Sequence, residues 1–261
     1  MIHFSRMRSS VLRFVFASWF LGCGFLAAQP NATPAKPSAT KDAPIPRYQV
    51  KRAPSPPVID GKLDEKAWEA ASPAVTLQFL WESQTGAKQK TAVRMLWDDQ
   101  NLYLAFDCDD ADITAQFQNR DDPTYQDDAV EIFINPRPSQ DGLYFGFEMN
   151  VRGVLYDYAN HGGRTLVKQY NAEGVRIATF IRGTMNLRGD KDQGWSLEAA
   201  IPWSNFDALS RPPQVGSVWK ANLNRWDGVE PDRRMSIWSD PQQETPWPHI
   251  PQRFGELAFV Q

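Results

Sequence analysis

The stretch AVRMLWDDQNLYLAFDC, residues 92–108, decides the fold, because two alternating apolar segments flank a short polar turn. Apolar side chains at every second position lie on one face of a β-strand. The intervening DDQN consists of residues that favour turns. The stretch therefore predicts a β-hairpin whose core-facing residues are Val93, Met95, Trp97, Leu102, Leu104 and Phe106.

The same two-residue period continues over most of the chain, with turns rich in Gly, Pro, Asn and Asp. This pattern is typical of an antiparallel sandwich. Helical character is confined to LDEKAWEAA (63–71) and PWSNFDAL (202–209), where a proline suits a first helical position. We predict an all-β, antiparallel, jelly-roll-like β-sandwich with one or two short helices. Its further strands are expected in 74–81, 130–134, 143–149, 153–158, 174–181, 194–201, 219–226 and 256–260.

The first 28 residues have the pattern of an export signal. Basic residues precede FVFASWFLGCGFLAA (14–28), an uncharged run that is short for a bilayer span. Residues 29–46 have the Pro- and Ala-rich composition of a linker, and residues 47–261 form the predicted folded domain. We expect a periplasmic or extracellular protein with no membrane span after signal removal. Lipid anchoring through Cys23 is the alternative.

Composition and motifs argue against several function classes. The net charge is −3 and the Lys and Arg residues form no basic stripe, so we expect no nucleic-acid partner. The chain has no G-x-S-x-G, C-x-x-C or H-E-x-x-H motif. After the signal, only His161 and His249 remain for histidine chemistry. Cys108 alternates in phase with core positions and is expected to be a buried packing residue.

Acidic residues leave two chemical possibilities open. A carboxylate pair for glycoside hydrolysis could come from Asp127, Asp128, Glu131, Glu148 or Glu198, although most acids on alternating strands simply face solvent. DCDDAD (107–112) and NRDDPTYQDD (119–128) also offer the oxygen ligands that calcium prefers. Neither segment has the spacing of a known calcium loop, so a solvated acidic turn is the favoured interpretation for any single one of these aspartates. The calcium candidates are Asp107, Asp109, Asp127 and Asp128.

Aromatic residues suggest a second kind of site. ETPWPHIP (244–251) places Trp247 between two prolines, which lack an amide donor and so favour a stiff loop over a central strand. Such a ring is either a lid on the core or an exposed platform. A pyranose ring offers an apolar face to such a platform, and Tyr125 could form the opposing wall. By contrast, four tryptophans in phase with aliphatic neighbours are expected in the core: Trp68, Trp81, Trp97 and Trp195.

Five ordered blocks resemble family 9 carbohydrate-binding modules. They are PVIDGKLDEKAW (57–68), VRMLWDDQNLYLAFDCDD (93–110), YQDDAVEIFINP (125–136), GWSLEAAIPW (194–203), and WSDP (238–241) followed by PQRFGEL (251–257). The resemblance implies a β-sandwich that binds the ends of glycan chains between two aromatic rings, with calcium as structural support.

The resemblance also implies roles for individual residues. Tyr125 and Trp247 match the two clamping rings, and Glu131 matches a residue that hydrogen-bonds sugar hydroxyls. Asn222 and Asn224 lie where the family places further amide contacts, with Arg225 a weaker candidate because it alternates out of phase with them.

Two departures from the family pattern concern sugar specificity. The first clamping ring is Tyr125 rather than a tryptophan, and Glu148 takes the place of an expected basic residue in the site.

We therefore predict a monomeric, non-catalytic carbohydrate-binding domain that assists polysaccharide breakdown, with no organic cofactor. One alternative is a haem-binding electron-transfer domain of the same superfamily, with Met149 and His161 as possible axial ligands, although Met149 also has the phase of a core residue. Another is a glycoside hydrolase accessory unit with weak hydrolytic activity.

Overall fold

The computed structural model describes residues 44–161, 165–167 and 170–261. These residues belong to one compact unit. The predicted export signal, Cys23 and most of the predicted linker lie outside the described residues. Among the described helices, none has the length and apolar character needed to cross a membrane.

The secondary structure is almost entirely β. A short helix, α1, spans Ala67–Ala70, and 3₁₀ turns cover Thr124–Gln126, Trp203–Phe206 and Pro251–Arg253. The described strands are β1 (Arg47–Arg52), β2 (Val75–Thr76), β3 (Thr91–Trp97), β4 (Asn101–Asp109), β5 (Ala129–Asn135), β6 (Tyr144–Asn150), β7 (Leu155–His161), β8 (Thr165–Val167), β9 (Arg176–Arg182), β10 (Gly194–Pro202), β11 (Val218–Asp227), β12 (Arg234–Ile237) and β13 (Gly255–Val260).

The strands form one hydrogen-bonded path in the order β8-β7-β6-β5-β11-β13-β1-β3-β4-β10-β9, with β12 paired to β11 and β2 paired to β3. Among these pairs, β1 runs parallel to β13 and β3, and the others are antiparallel. The path curls, so that β5, β6 and β11 face β3, β4 and β10 across a shared apolar core. This arrangement confirms the predicted all-β sandwich.

The hairpin that suggested the fold is β3 and β4, which pair antiparallel with Trp97 opposite Leu102 across the predicted turn. All six of its predicted core residues are buried, as are Trp68, Trp81, Trp97 and Trp195. Cys108 is also buried, and burial raises the pKa of its thiol to about 12, so it is a packing residue rather than a nucleophile.

Three predicted elements are shorter than expected, one of which is the predicted helix 202–209, reduced to the 3₁₀ turn Trp203–Phe206. The segment 74–81 pairs with β3 only at Val75–Thr76, because the chain then moves to β12 through a bridge between Gln78 and Ile237. The predicted helix 63–71 is reduced to Ala67–Ala70, since Leu63 adopts a positive φ of 57° that ends helical geometry upstream.

Candidate functional site

A cavity of about 500 Å³ lies on the face of β5, β6 and β7 that points away from the core. Aromatic rings dominate its walls, and two glutamates and an asparagine supply polar groups. Cavities of this size, apolar with a few convergent polar groups, are typical small-molecule sites. The residues lining it are Tyr125, Glu131, Glu148, Tyr156, Tyr158, Asn160, Trp226, Pro246, Trp247, Pro248 and His249.

Strand alternation explains how these side chains meet. In β5, Val130, Ile132 and Ile134 enter the core, which turns Glu131 and Phe133 to the opposite face, as the sequence predicts. In β7, the same period places Tyr156, Tyr158 and Asn160 on that face. The register between β5 and β6 sets Glu148 directly opposite Glu131.

The two predicted platform rings both line the cavity. Tyr125 lies in the 3₁₀ turn before β5, is 37% exposed, and contacts Tyr156 edge-on with ring centroids 5.8 Å apart. Trp247 is 51% exposed and lies 4.7 Å from His249, centroid to centroid. Trp247 is therefore an exposed surface ring rather than a lid on the core.

His249 fixes the proline-rich loop to the sheet. Its ring stacks on Phe133 with centroids 4.8 Å apart, and its Nδ1 lies 2.9 Å from the Tyr144 hydroxyl. Asn160 donates its amide to the same hydroxyl, which leaves the Tyr144 hydrogen free to donate to His249. Burial lowers the pKa of His249 to about 4, so the ring is neutral near neutral pH. Trp247 thus stands on an anchored loop.

Two buried carboxyl groups form the polar floor of the cavity. Burial raises the pKa of Glu131 to about 7, although Arg233 opposes the rise. Burial and the nearby Glu131 carboxyl raise the pKa of Glu148 well above its usual value, which the neighbouring Tyr158 hydroxyl offsets only in part. Glu148 Oε2 makes no hydrogen bond of acceptable geometry. The pair therefore retains protons at pH values where exposed glutamates are ionised.

Gly146 leaves room for the end of the Tyr158 ring to approach the sheet closely. The two residues are cross-strand partners in β6 and β7, and a Cβ added at Gly146 would lie 2.3 Å from Tyr158 Cζ. Since Tyr158 is buried among Phe133, Tyr144 and Phe254, its ring has little room to retreat. A glycine at this position therefore shapes one wall of the cavity.

The remaining predicted polar contacts, Asn224, Asn222 and Arg225, lie in three different surroundings. Asn224 is buried behind the floor and donates its amide to Glu131 Oε2 over 3.2 Å. Asn222 uses both ends of its amide to hold the backbone of Ser239 and is not among the cavity-lining residues. Arg225 is fully buried elsewhere, with Asp110 and Asp227 as ion-pair partners.

An acidic cluster beside Arg225 could hold a metal ion. Carboxylate oxygens of Asp110, Asp128 and Asp227 lie within 4.8 Å of one another, and all three residues are buried. Burial, Asp110 and Asp227 together raise the pKa of Asp128 to about 8. Such a donor set suits a hard divalent cation.

Of the four aspartates that the sequence suggested as calcium ligands, Asp128 lies in this cluster. Asp107 pairs with Arg182 at 2.9 Å, and Asp109 is exposed at the end of β4. The Asp127 carboxylate accepts hydrogen bonds from the amides of Gln116 and Phe117 and from the Asn150 side chain, so it holds the loop before β5 in place.

Glu198, another acid considered from the sequence, lies outside the cavity and has a structural role. It accepts hydrogen bonds from the amides of Asp60 and Gly61 and from Trp68 Nε1, which ties the first loop to β10. Asp60, Glu65 and Glu198 form a second group of oxygens within 4.8 Å of one another. Met149, considered as a haem ligand, lies in the apolar core, and His161 is exposed at the end of β7.

A family model described as "Carbohydrate family 9 binding domain-like" matches residues 59–261, most of the chain. The chain belongs to this family. The family 9 domain is 29% identical over 208 residues to endo-1,4-beta-xylanase A of Thermotoga neapolitana and 28% identical over 187 residues to exoglucanase XynX of Acetivibrio thermocellus. These matches cover 78% and 71% of this chain but only 17% and 15% of those enzymes.

Solved structures share the fold of the family 9 domain. A Bacteroides uniformis protein aligns over 83% of this chain and all of its own, with 20% identity and a TM-score of 0.68. A family 9 module of Caldicellulosiruptor kristjanssonii, solved in complex with cellotriose, aligns over 82% of this chain and 93% of its own, with 19% identity and a TM-score of 0.57.

Sequence reasoning missed several residues of the family 9 domain's cavity. Tyr156, Tyr158 and Asn160 could have been found from the two-residue period of β7, once Tyr125 suggested the face. Trp226 follows the predicted Asn222 and Asn224 in the two-residue period of β11 and could have been found in the same way, whereas His249 had no such signal, because its position depends on a loop contact distant in sequence.

Proposed function

We propose that the family 9 domain binds the end of a glycan chain in the cavity between Tyr125 and Trp247. The observation that carries this proposal is the pair of exposed rings standing over a buried polar floor. Rigid, amphipathic rings give contact area at a small entropic cost, and fixed polar groups give orientation. The cellotriose complex of the related Caldicellulosiruptor kristjanssonii module supports the same ligand class.

Each part of the cavity has a role in the proposed complex. Tyr125 and Trp247 stack on the apolar faces of the terminal sugar. Glu131 and Glu148 accept hydrogen bonds from sugar hydroxyls. Asn224 orients Glu131 by donating its side-chain amide to Glu131 Oε2. Asn160 Oδ1 makes no hydrogen bond within the protein and is a further acceptor for a hydroxyl. The anchored His249 keeps the Trp247 loop in place before the sugar arrives.

We infer that the cavity binds sugar without cleaving it. Glycosidases place their two carboxyl groups on either side of the scissile bond. Glu131 and Glu148 are instead cross-strand neighbours, side by side in the polar floor of the cavity. We further propose that residues 1–28 direct export, so that this binding protein assists polysaccharide breakdown outside the cytoplasm.

Calcium is the metal that we propose for the Asp110, Asp128 and Asp227 cluster. Three carboxylates and the Arg225 guanidinium leave a net charge of about −2 when all are ionised, which a divalent cation would balance. When bound, the ion would supply structural support by holding the ends of β4 and β11 to the start of β5. Asp128 already fastens this region, since it accepts hydrogen bonds from the amides of Thr114 and Gly228.

A glycan array on residues 29–261, run with and without calcium, tests the proposed function. We expect binding to a restricted group of oligosaccharides, recognised at a chain end. Each glycan is printed in two forms, tethered through its reducing end and through its non-reducing end, and binding should survive in only one of the two orientations. A uniformly blank array would overturn the proposal, and binding along chain interiors would overturn its end-on geometry.

A further inference from the structure

The polar floor of the cavity presents two buried hydrogen-bond acceptors, Glu148 Oε2 and Asn160 Oδ1, and one buried hydroxyl, that of Tyr158, without hydrogen-bond partners. Both acceptors belong to residues that are more than nine-tenths buried. The Asn160 amide nitrogen is already used by Tyr144. A bound group therefore has to donate hydrogen bonds to this floor to satisfy its two acceptors.

The charge of the floor is also unbalanced when both of its carboxyl groups are ionised. Two carboxyl groups, Glu131 and Glu148, lie side by side, and the side chains lining the cavity include no Lys or Arg. Arg233, whose Cζ lies 4.1 Å from the centroid of the Trp226 ring, is the positive group near Glu131. It offsets one carboxylate, so the second lacks a cationic partner among the described residues.

The other groups facing the pair are neutral near pH 7. From β7 these are Tyr156 and Tyr158, and burial raises the pKa of both hydroxyls. Tyr144 and His249 complete the set, with the pKa of Tyr144 raised and that of His249 lowered by burial. None of these groups supplies the missing positive charge.

We propose that the cavity selects a terminal sugar that carries an amino group, bound as its ammonium ion by Glu148 and Asn160. This inference rests on the proposed carbohydrate-binding function and adds the class of sugar. An ammonium donates three hydrogen bonds and accepts none, which matches the unsatisfied acceptors. The ammonium also supplies the positive charge that balances an ionised Glu148 carboxylate. A uronic acid would instead bring a third carboxylate and is excluded by repulsion.

The aromatic walls favour the same ligand. Tyr125, Tyr156, Trp226 and Trp247 surround the floor, and the electron-rich faces of such rings attract cations. Burial and the Glu131 carboxyl raise the pKa of Glu148, so the free site retains a proton to higher pH than an exposed glutamate does, and a bound ammonium displaces that proton. That proton leaves to solvent, so binding of the ammonium form releases up to one proton per sugar.

Titration calorimetry with three trisaccharide probes tests this inference. The probes are the β-1,4-linked trimers of glucosamine, N-acetylglucosamine and glucose, used at pH 6.5 in buffers of different ionisation enthalpy. We expect the glucosamine trimer to bind at least tenfold more tightly than either neutral trimer and to release a proton that the glucose trimer does not. Glu148→Gln should bring the affinity ratio close to one, whereas Glu173→Gln, at an exposed acid outside the cavity, should leave it unchanged.

The outcomes separate this inference from the proposed function. If the glucose trimer binds as tightly as the glucosamine trimer, the amino-sugar inference is wrong and carbohydrate binding stands. If none of the three trimers binds and the glycan array is also blank, both fail. The wild-type ratio of glucosamine to N-acetylglucosamine affinity needs no variant, so the test survives even if Glu148→Gln does not fold.

Discussion

Glu131 of β5 and Glu148 of β6 lie directly opposite each other, and both side chains are buried beneath one aromatic cavity. Like-charged pairs in this position are destabilising when both groups are ionised. Their retention beneath a cavity associates the pair with ligand binding rather than with stability.

The first prediction concerns pH. Burial raises the pKa of Glu131 from 4.5 to about 7, and burial and Glu131 raise the pKa of Glu148 well above its usual value. The folded state therefore binds protons more tightly than the unfolded state. The stabilisation that these bound protons give the folded state is complete below pH 4.5. It is lost as the pH rises through the folded-state pKa values of the two glutamates. For Glu131 alone, the loss is roughly 3 kcal/mol.

Thermal melts between pH 5 and pH 8 measure this effect. The melting temperature should fall by several degrees across that range, and Glu148→Gln should flatten the slope. Part of the slope should remain, because the pKa of Asp128 is also raised, to about 8, by burial and its acidic neighbours. A wild-type melting temperature that rises steadily with pH would contradict the protonated pair.

Gly146→Ala should disturb the cavity from beneath. The added methyl group would lie 2.3 Å from Tyr158 Cζ, so the ring has to move within a packed aromatic cluster. We expect a loss of about 1–3 kcal/mol in the free energy of unfolding, typical of overpacking, together with weaker glycan binding. Denaturant unfolding and calorimetry measure the two effects. Unchanged stability with unchanged affinity would show that Tyr158 is not held against Gly146.

Tyr125→Ala should weaken glycan binding by roughly two- to tenfold, the range expected when one stacked ring is lost at about 0.5–1.5 kcal/mol. Tyr125→Phe should retain most of the affinity, because stacking uses the ring and not the hydroxyl. Neither change should lower the melting temperature much, since Tyr125 is 37% exposed. If Tyr125→Ala binds as well as the wild type, Tyr125 is not a wall of the site.

Calcium should stabilise the fold through the cluster of Asp110, Asp128 and Asp227. Calcium at one hundred times its dissociation constant should add about 2.7 kcal/mol to the free energy of unfolding. Asp128→Asn should abolish this gain, whereas Asp109→Asn, at an exposed neighbour outside the cluster, should preserve it. Equal stability with calcium and with a chelator would show that the cluster does not bind calcium.

Much of the fold was predictable because strand alternation is local. The phase of Val130, Ile132 and Ile134 turns Glu131 away from the core without any knowledge of the neighbouring strands. The same period predicted the hairpin of β3 and β4. Because alternation is local, it carries no information on contacts with distant residues. Residues 74–81 alternate like a strand, but Gln78 forms a bridge with Ile237 instead of continuing along β3.

The meeting of distant acids was not predictable in this way. Asp110, Asp128 and Asp227 come together only because β11 pairs with β5 and because Arg225 crosses to the end of β4. Composition alone favoured the adjacent Asp107 and Asp109, whose side chains point to other surroundings. The pairing of Glu131 with Glu148 likewise follows from the register of β5 and β6, which alternation within each strand leaves undetermined.

The central claim is that a glycan binds between Tyr125 and Trp247, and Trp247→Ala tests it most directly. Phe180→Ala is the matched control, since Phe180 is also an exposed ring but lies on β9, outside the cavity. Titration of both variants with the best glycan from the array should show binding lost in Trp247→Ala and retained in Phe180→Ala, with melting temperatures close to wild type. Full binding by a folded Trp247→Ala variant would contradict the account.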